Sequence, residues 1–141
     1  MQDFKLERTG LPPLEFTGQL IVESIGSDPD IATEGRTTDI AIYAANDGQL
    51  LVSVHYHSPH RGEPDAFVEA VDSADQAYEL LCIYSPCDRI DTKQFDRNDL
   101  GRLRTVERKL LRQYDQQVLS VMEQLRLYSG SREPEPGQTT G

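Results

Sequence analysis

A chain of 141 residues, 37% hydrophobic and 27% charged, has the length and composition of one globular domain and is too short for two well-cored ones. Its 24 Asp and Glu against 14 Lys and Arg give a formal charge of -10. That balance argues against direct nucleic-acid binding, because affinity for a phosphate backbone comes from cationic side chains. No run approaches the roughly 18 apolar residues of a membrane span, and the N-terminus is not basic-then-apolar. The expectation is a cytoplasmic protein with no membrane partner.

Residues 1–13 are polar and end in Leu11-Pro12-Pro13. Paired prolines restrict the residues before them, so this stretch reads as an extended N-terminal arm. From Leu14 to Ile25 the pattern alternates. Leu14, Phe16, Leu20 and Val22 take one face, and Glu15, Thr17, Gln19 and Glu23 take the other. That is the signature of a half-buried strand, with Gly18 marking a bulge or a close backbone approach. Residues 26–35, with Asp28, Pro29 and Gly35, read as a loop.

The strongest local signal lies between Arg36 and His57. Ile40, Ile42 and Ala44 share one face of a first strand; Leu50, Val52, Val54 and Tyr56 share one face of a second. Between them stands Ala45-Asn46-Asp47-Gly48. A type I turn at Asn46-Asp47, with Gly48 left-handed, gives a three-residue hairpin loop with a bulge. Pairing Ala45 with Gln49 then sets Ala44 against Leu50, Ile42 against Val52 and Ile40 against Val54, and the apolar sets coincide. A two-residue loop would throw them onto opposite faces.

After a loop from Ser58 to Asp65, a short strand is expected over 66–71. Ser73, with Gln76 three residues on, forms a capping box for a short helix whose inner face is Ala77, Tyr78, Leu81 and Cys82. Ser85-Pro86 ends it, and residues 87–97 are polar and irregular. Asp96 or Asn98 can cap a second helix running to about Tyr128, with Gly130 beyond its end. Its stripe is Leu103, Val106, Leu110, Tyr114, Val118, Val121, Leu125 and Tyr128. The fold class is therefore α+β: a four-stranded, mainly antiparallel sheet followed by a short helix and a long C-terminal helix packed on its apolar face. Residues 1–128 form the domain, and 129–141 read as a disordered tail.

Charge is unevenly spread. Residues 1–91 carry 17 acidic and 5 basic side chains, whereas residues 92–128 carry 8 basic and 5 acidic. Such a dipolar chain can steer a partner or orient two copies of itself.

All three histidines fall within six residues: His55, His57 and His60. His55 and His57 share the strand face opposite the apolar set, and the register places Asp39 opposite His55 and Thr37 opposite His57. Ser53 and Tyr43 share that face, and the following loop adds His60, Arg61, Glu63 and Asp65. A histidine oriented by a carboxylate beside a second histidine is how imidazole is prepared for metal binding or proton transfer. The plainer reading is a solvated polar sheet face. Ser53 lacks a strand-to-helix elbow to activate it, no metal or other cofactor is implied, and the glycines have no phosphate-loop spacing. Cys82 and Cys87 match neither a redox pair nor a zinc knuckle and read as free thiols.

Three functions compete. A non-enzymatic protein-interaction or dimerisation module is favoured, because about 30 helical residues, roughly 45 Å, outrun strands of roughly 30 Å. The stripe at Val118, Val121, Met122, Leu125 and Tyr128 would then pack on another chain, either a second copy of this one or a different protein. A metal-binding or hydrolytic protein would use His55, His57 and Asp39. An acidic nucleic-acid mimic would use the carboxylates of residues 1–91 to block a DNA-binding protein.

Overall fold

The two alternating segments do pair as their hydrophobic faces require. In the computed structural model, which describes residues 1–26 and 33–132, β3 (Thr37–Ala45) and β4 (Leu50–His57) form an antiparallel hairpin. Ala44 stands opposite Leu50, Ile42 opposite Val52, Ile40 opposite Val54, Asp39 opposite His55 and Thr37 opposite His57. Gly48 takes φ +93, and the Gly48 N–H donates to the Ala45 carbonyl at 3.0 Å, closing the expected turn.

The sheet has five antiparallel strands, not four, in the order β1-β2-β3-β4-β5. The additional strand is β1 (Gln2–Arg8), in the region read as an arm; it pairs with β2 (Leu11–Ser24). The two prolines had masked it. Pro12 and Pro13 sit at the start of β2, where a register shift between Leu6 and Arg8 interrupts the ladder, so their missing N–H groups cost little. Further along, Phe4 stacks on Phe16 with ring centroids 5.2 Å apart, and Lys5 stands opposite Glu15 in the ladder. Strand β5 (Asp65–Val71) completes the sheet beside β4.

A second correction concerns β2. Leu14, Phe16, Leu20 and Val22 do not share one face. The register shifts between Leu20, opposite Tyr43, and Val22, opposite Ile42. An extra residue in one strand reverses the side chains beyond it. Val22 therefore enters the core, while Leu20 is left 42% exposed. Gly18 marks a close approach instead of the bulge: a Cβ there would sit 2.1 Å from the Ala44 carbonyl oxygen.

Helix α1 (Ala74–Ile83) begins at Ser73, whose side chain accepts the Gln76 N–H at 3.2 Å. Gln76 reaches back to the Asp72 N–H, 2.7 Å. Ala77 and Leu81 face the core, but Tyr78 and Cys82, expected beside them, are exposed. Three short 3-10 turns follow, capped by Ser85, Asp91 and Asp96; the last leads into α2 (Leu100–Arg132). The helix passes Gly130, where an end had been expected. Residues 27–32 of the expected loop and 133–141 of the expected tail lie outside the described residues.

Two clusters form the core on one side of the sheet. Val22, Ile40, Ile42, Val52 and Val54 meet Ala77 and Leu81 of α1 and Tyr114, Val118, Val121 and Leu125 of α2. Tyr56 meets Ile90, Phe95, Val106 and Leu110. The Tyr114 hydroxyl donates to the Leu81 carbonyl and pins the helices together. The long helix does not overhang. Val121 and Leu125 are 0% and 1% exposed within this single chain, so the stripe needs no other chain to cover it. The expected mismatch assumed a flat sheet of short strands. The 14-residue β2 instead follows the helix, with Gln117 Nε2 donating to the Ser24 and Thr38 carbonyls and Gln124 Nε2 to that of Glu23.

Candidate functional site

The face away from the helices is a hollow and not an open polar plane. The sheet curls until the Thr9 N–H donates to the Ala66 carbonyl at 2.8 Å, and the Ala66 N–H to Thr9 Oγ1 at 2.7 Å. This brings the β1–β2 end against β5. Inside the curl, Phe4, Phe16 and Tyr43 pack as an aromatic trio with centroids 4.9–5.5 Å apart. Leu51 and Val68 are buried.

Of the expected polar-face residues, Asp39, Ser53 and His55 line one pocket of about 280 Å³, with Lys5, Glu7 and Glu23 at its rim. The His55 and His57 rings stack with centroids 4.2 Å apart. Asp39 is opposite His55 in the ladder, yet its Oδ2 lies 2.7 Å from Nε2 of His57, the diagonal neighbour. Asp39 Oδ1 accepts the Gly26 N–H at 2.9 Å. The carboxylate thus ties the end of β2 to β4 while orienting one imidazole. This arrangement can hold a ring and exchange a proton with it. Among the described residues, no three His, Cys, Asp or Glu side chains stand as a metal-holding group.

The loop residues separate from this pair. His60 Nε2 lies 3.1 Å from the Glu34 carbonyl, and Arg61 is exposed on the turn. Glu63 leaves the hollow altogether. It is buried on the helix side, where Arg36 Nε and Nη2 donate to its two oxygens at 2.8 and 2.7 Å. The Tyr56 and Ser58 hydroxyls and the Asp91 N–H also donate to it. Burial alone would raise the Glu63 carboxyl; the Arg36, Asp91 and Ser58 hydrogen bonds and the Arg36 charge outweigh it and hold the acid at about 2. Burial likewise pushes the Tyr56 hydroxyl well up. Every oxygen of this cluster is satisfied by structural neighbours, so Glu63 anchors the loop and the 3-10 turns to the sheet.

The interaction residues expected on α2 are core residues. Val118, Val121 and Leu125 are buried, and Met122 and Tyr128 pack half-buried against them.

A feature the sequence reading missed lies along β5. Both backbone polar groups of Ala66 point away from β4, toward Thr9. Antiparallel pairing alternates, so the N–H and C=O groups of Val68 and Ala70 point the same way. No described residue bonds to them there. On the hollow side of this edge lies a cavity of about 590 Å³ lined by Leu11, Leu14, Phe16, Leu51 and Val68. On the helix side lies one of about 370 Å³ lined by Phe67, Leu80, Ile83 and Tyr84. Ile83 is 79% exposed beside it. The available signal was the short strand 66–71 itself, last in the sheet and followed by a helix. No family model, curated protein or solved structure matches this chain.

Proposed function

We propose that this chain is a non-enzymatic protein-interaction module that receives an extended segment of another protein along the outer edge of β5. The observation that carries this reading is the unpaired edge at Val68 and Ala70, flanked by apolar hollows on both faces. Proteins blunt exposed edges with charge, proline, bulges or covering loops, because a bare edge templates strand addition. Here the Thr9 turn and the end of β1 lie against the start of β5 and Val68 is buried, so the open stretch of the edge is at exposed Glu69 and Ala70, beside exposed Ile83. An added strand gains main-chain hydrogen bonds, and its alternate side chains reach the two hollows in turn.

The experiment is a paired capture from the native host, using wild type and Ala70→Pro as baits. Proline removes the outward N–H without touching the ladder to β4. Circular dichroism establishes that the variant is folded. A protein retained by the wild type and lost by the folded variant supports the reading; equal retention on both refutes it.

A further inference from the structure

The geometry points to the chemistry of the segment that adds to β5: apolar side chains at alternate positions with a basic side chain between them. This rests on the docking edge proposed above. In an added strand, the residues opposite Val68 and Ala70 project into the hollow, where Leu11, Leu14, Phe16 and Leu51 offer an apolar wall. The residue between them lies opposite Glu69, on the helix side. There a lysine or arginine can rest its aliphatic stem on Ile83 and bring its charge to the Glu69 carboxylate. The surroundings favour the same sign. Among the described residues lining the two cavities, the carboxylates of Glu15, Asp47, Asp65, Glu69 and Asp88 face two guanidiniums, Arg8 and Arg89. Both are engaged: Arg8 Nε donates to the Pro12 carbonyl at 2.9 Å, and Arg89 lies 3.7 Å from Asp65.

The same charges disfavour a second copy of this chain. Antiparallel pairing of two β5 edges through Val68 and Ala70 would set the two Glu69 carboxylates directly opposite, and like charges there are repulsive. The occupant is therefore a basic segment of a different protein.

The test uses the full chain, isotope-labelled, titrated with three synthetic peptides of equal length: alternating valine–lysine, alternating valine–glutamate, and alternating valine–threonine. Amide shifts at Val68, Glu69 and Ala70 report edge binding. Valine–lysine is expected to bind tightest and to move these amides. Ala70→Pro should abolish that binding, and Glu69→Lys should weaken it roughly tenfold. A scrambled peptide of the same lysine content should not move them. If valine–threonine or valine–glutamate binds the edge as tightly, the basic specificity is wrong and the docking edge stands. If none moves these amides, both the specificity and the edge are overturned.

Discussion

Arg36 and Glu63, 27 residues apart, form a two-pronged ion pair in which neither side chain reaches solvent. Arg36 immediately precedes β3, and Glu63 lies in the loop between β4 and β5. The Asp91 N–H joins from the 3-10 segment, and Phe95 lies beside the guanidinium, 5.8 Å from its centre. Three parts of the chain without regular packing of their own, the residue before β3, the β4–β5 loop and the 3-10 segment, therefore meet at one ion pair.

Removing one partner strands the other charge in the core, so Glu63→Gln should cost on the order of 3 kcal/mol. The pH dependence follows from the depressed acid. The Glu63 carboxyl is held at about 2 in the fold, against an ordinary value of 4.5. Its contribution is fully present above the unfolded value and is lost as pH falls from about 4.5 to about 2. Urea denaturation should show wild-type stability declining through that window. Glu63→Gln should start lower and decline less. Parallel pH profiles for the two proteins would contradict this account.

Two glycines should respond differently to the same methyl group. At Gly48, with φ +93 and open space around a Cβ, Gly48→Ala meets only the backbone penalty, about 1 kcal/mol. At Gly18 the Cβ would fall 2.1 Å from the Ala44 carbonyl oxygen and 2.9 Å from the Ala45 Cα. Backbone cannot yield as a flexible side chain can, so Gly18→Ala should cost about 3 kcal/mol. Thermal melts of the two variants read the order, and a Gly18→Ala protein as stable as Gly48→Ala would show that β2 is not held this close to β3.

The Asp39 carboxylate works mainly through its Gly26 hydrogen bond, because the contact to His57 is half-exposed and screened by water. Asp39→Ala should cost about 1 kcal/mol and speed amide exchange at Gly26. Asp39→Asn keeps an oxygen for that N–H and should cost less. Equal exchange rates at Gly26 in all three proteins would assign the carboxylate no structural role.

Legibility in the sequence follows interaction range. The β3–β4 hairpin was readable because turn chemistry at Asn46-Asp47-Gly48 and two apolar alternations demand the same register. The long helix was readable because Leu103 to Tyr128 keeps a single helical stripe. Strand β1 was not, since two prolines stand where its partner begins and only Phe4 and Leu6 alternate. The reversal of β2 after Leu20 was missed because the residues there give no local signal of a bulge. Glu63 was placed with the histidines because neighbours in sequence usually stay near one another. Nothing local shows that a loop carboxylate will cross to the helix side and meet Arg36. The β5 edge escaped for a related reason: whether a strand is central or terminal depends on the curl of the whole sheet.

The last prediction concerns the stripe on α2. If Val118 and Leu125 were surface for another chain, Val118→Glu with Leu125→Glu would release monomers while sparing the sheet. Their burial against Val22, Ile40, Ile42 and Val54 reverses that outcome. Two carboxylates placed there would be desolvated without partners, a cost of several kcal/mol each and comparable to the stability of a small domain. The double variant should therefore unfold, losing near-ultraviolet dichroism and cooperative melting at every concentration. Leu125→Ala alone should cost 2–5 kcal/mol through its cavity, with a melting temperature independent of protein concentration. A folded double variant that sediments at a lower mass than the wild type would restore the helix as an interface between chains.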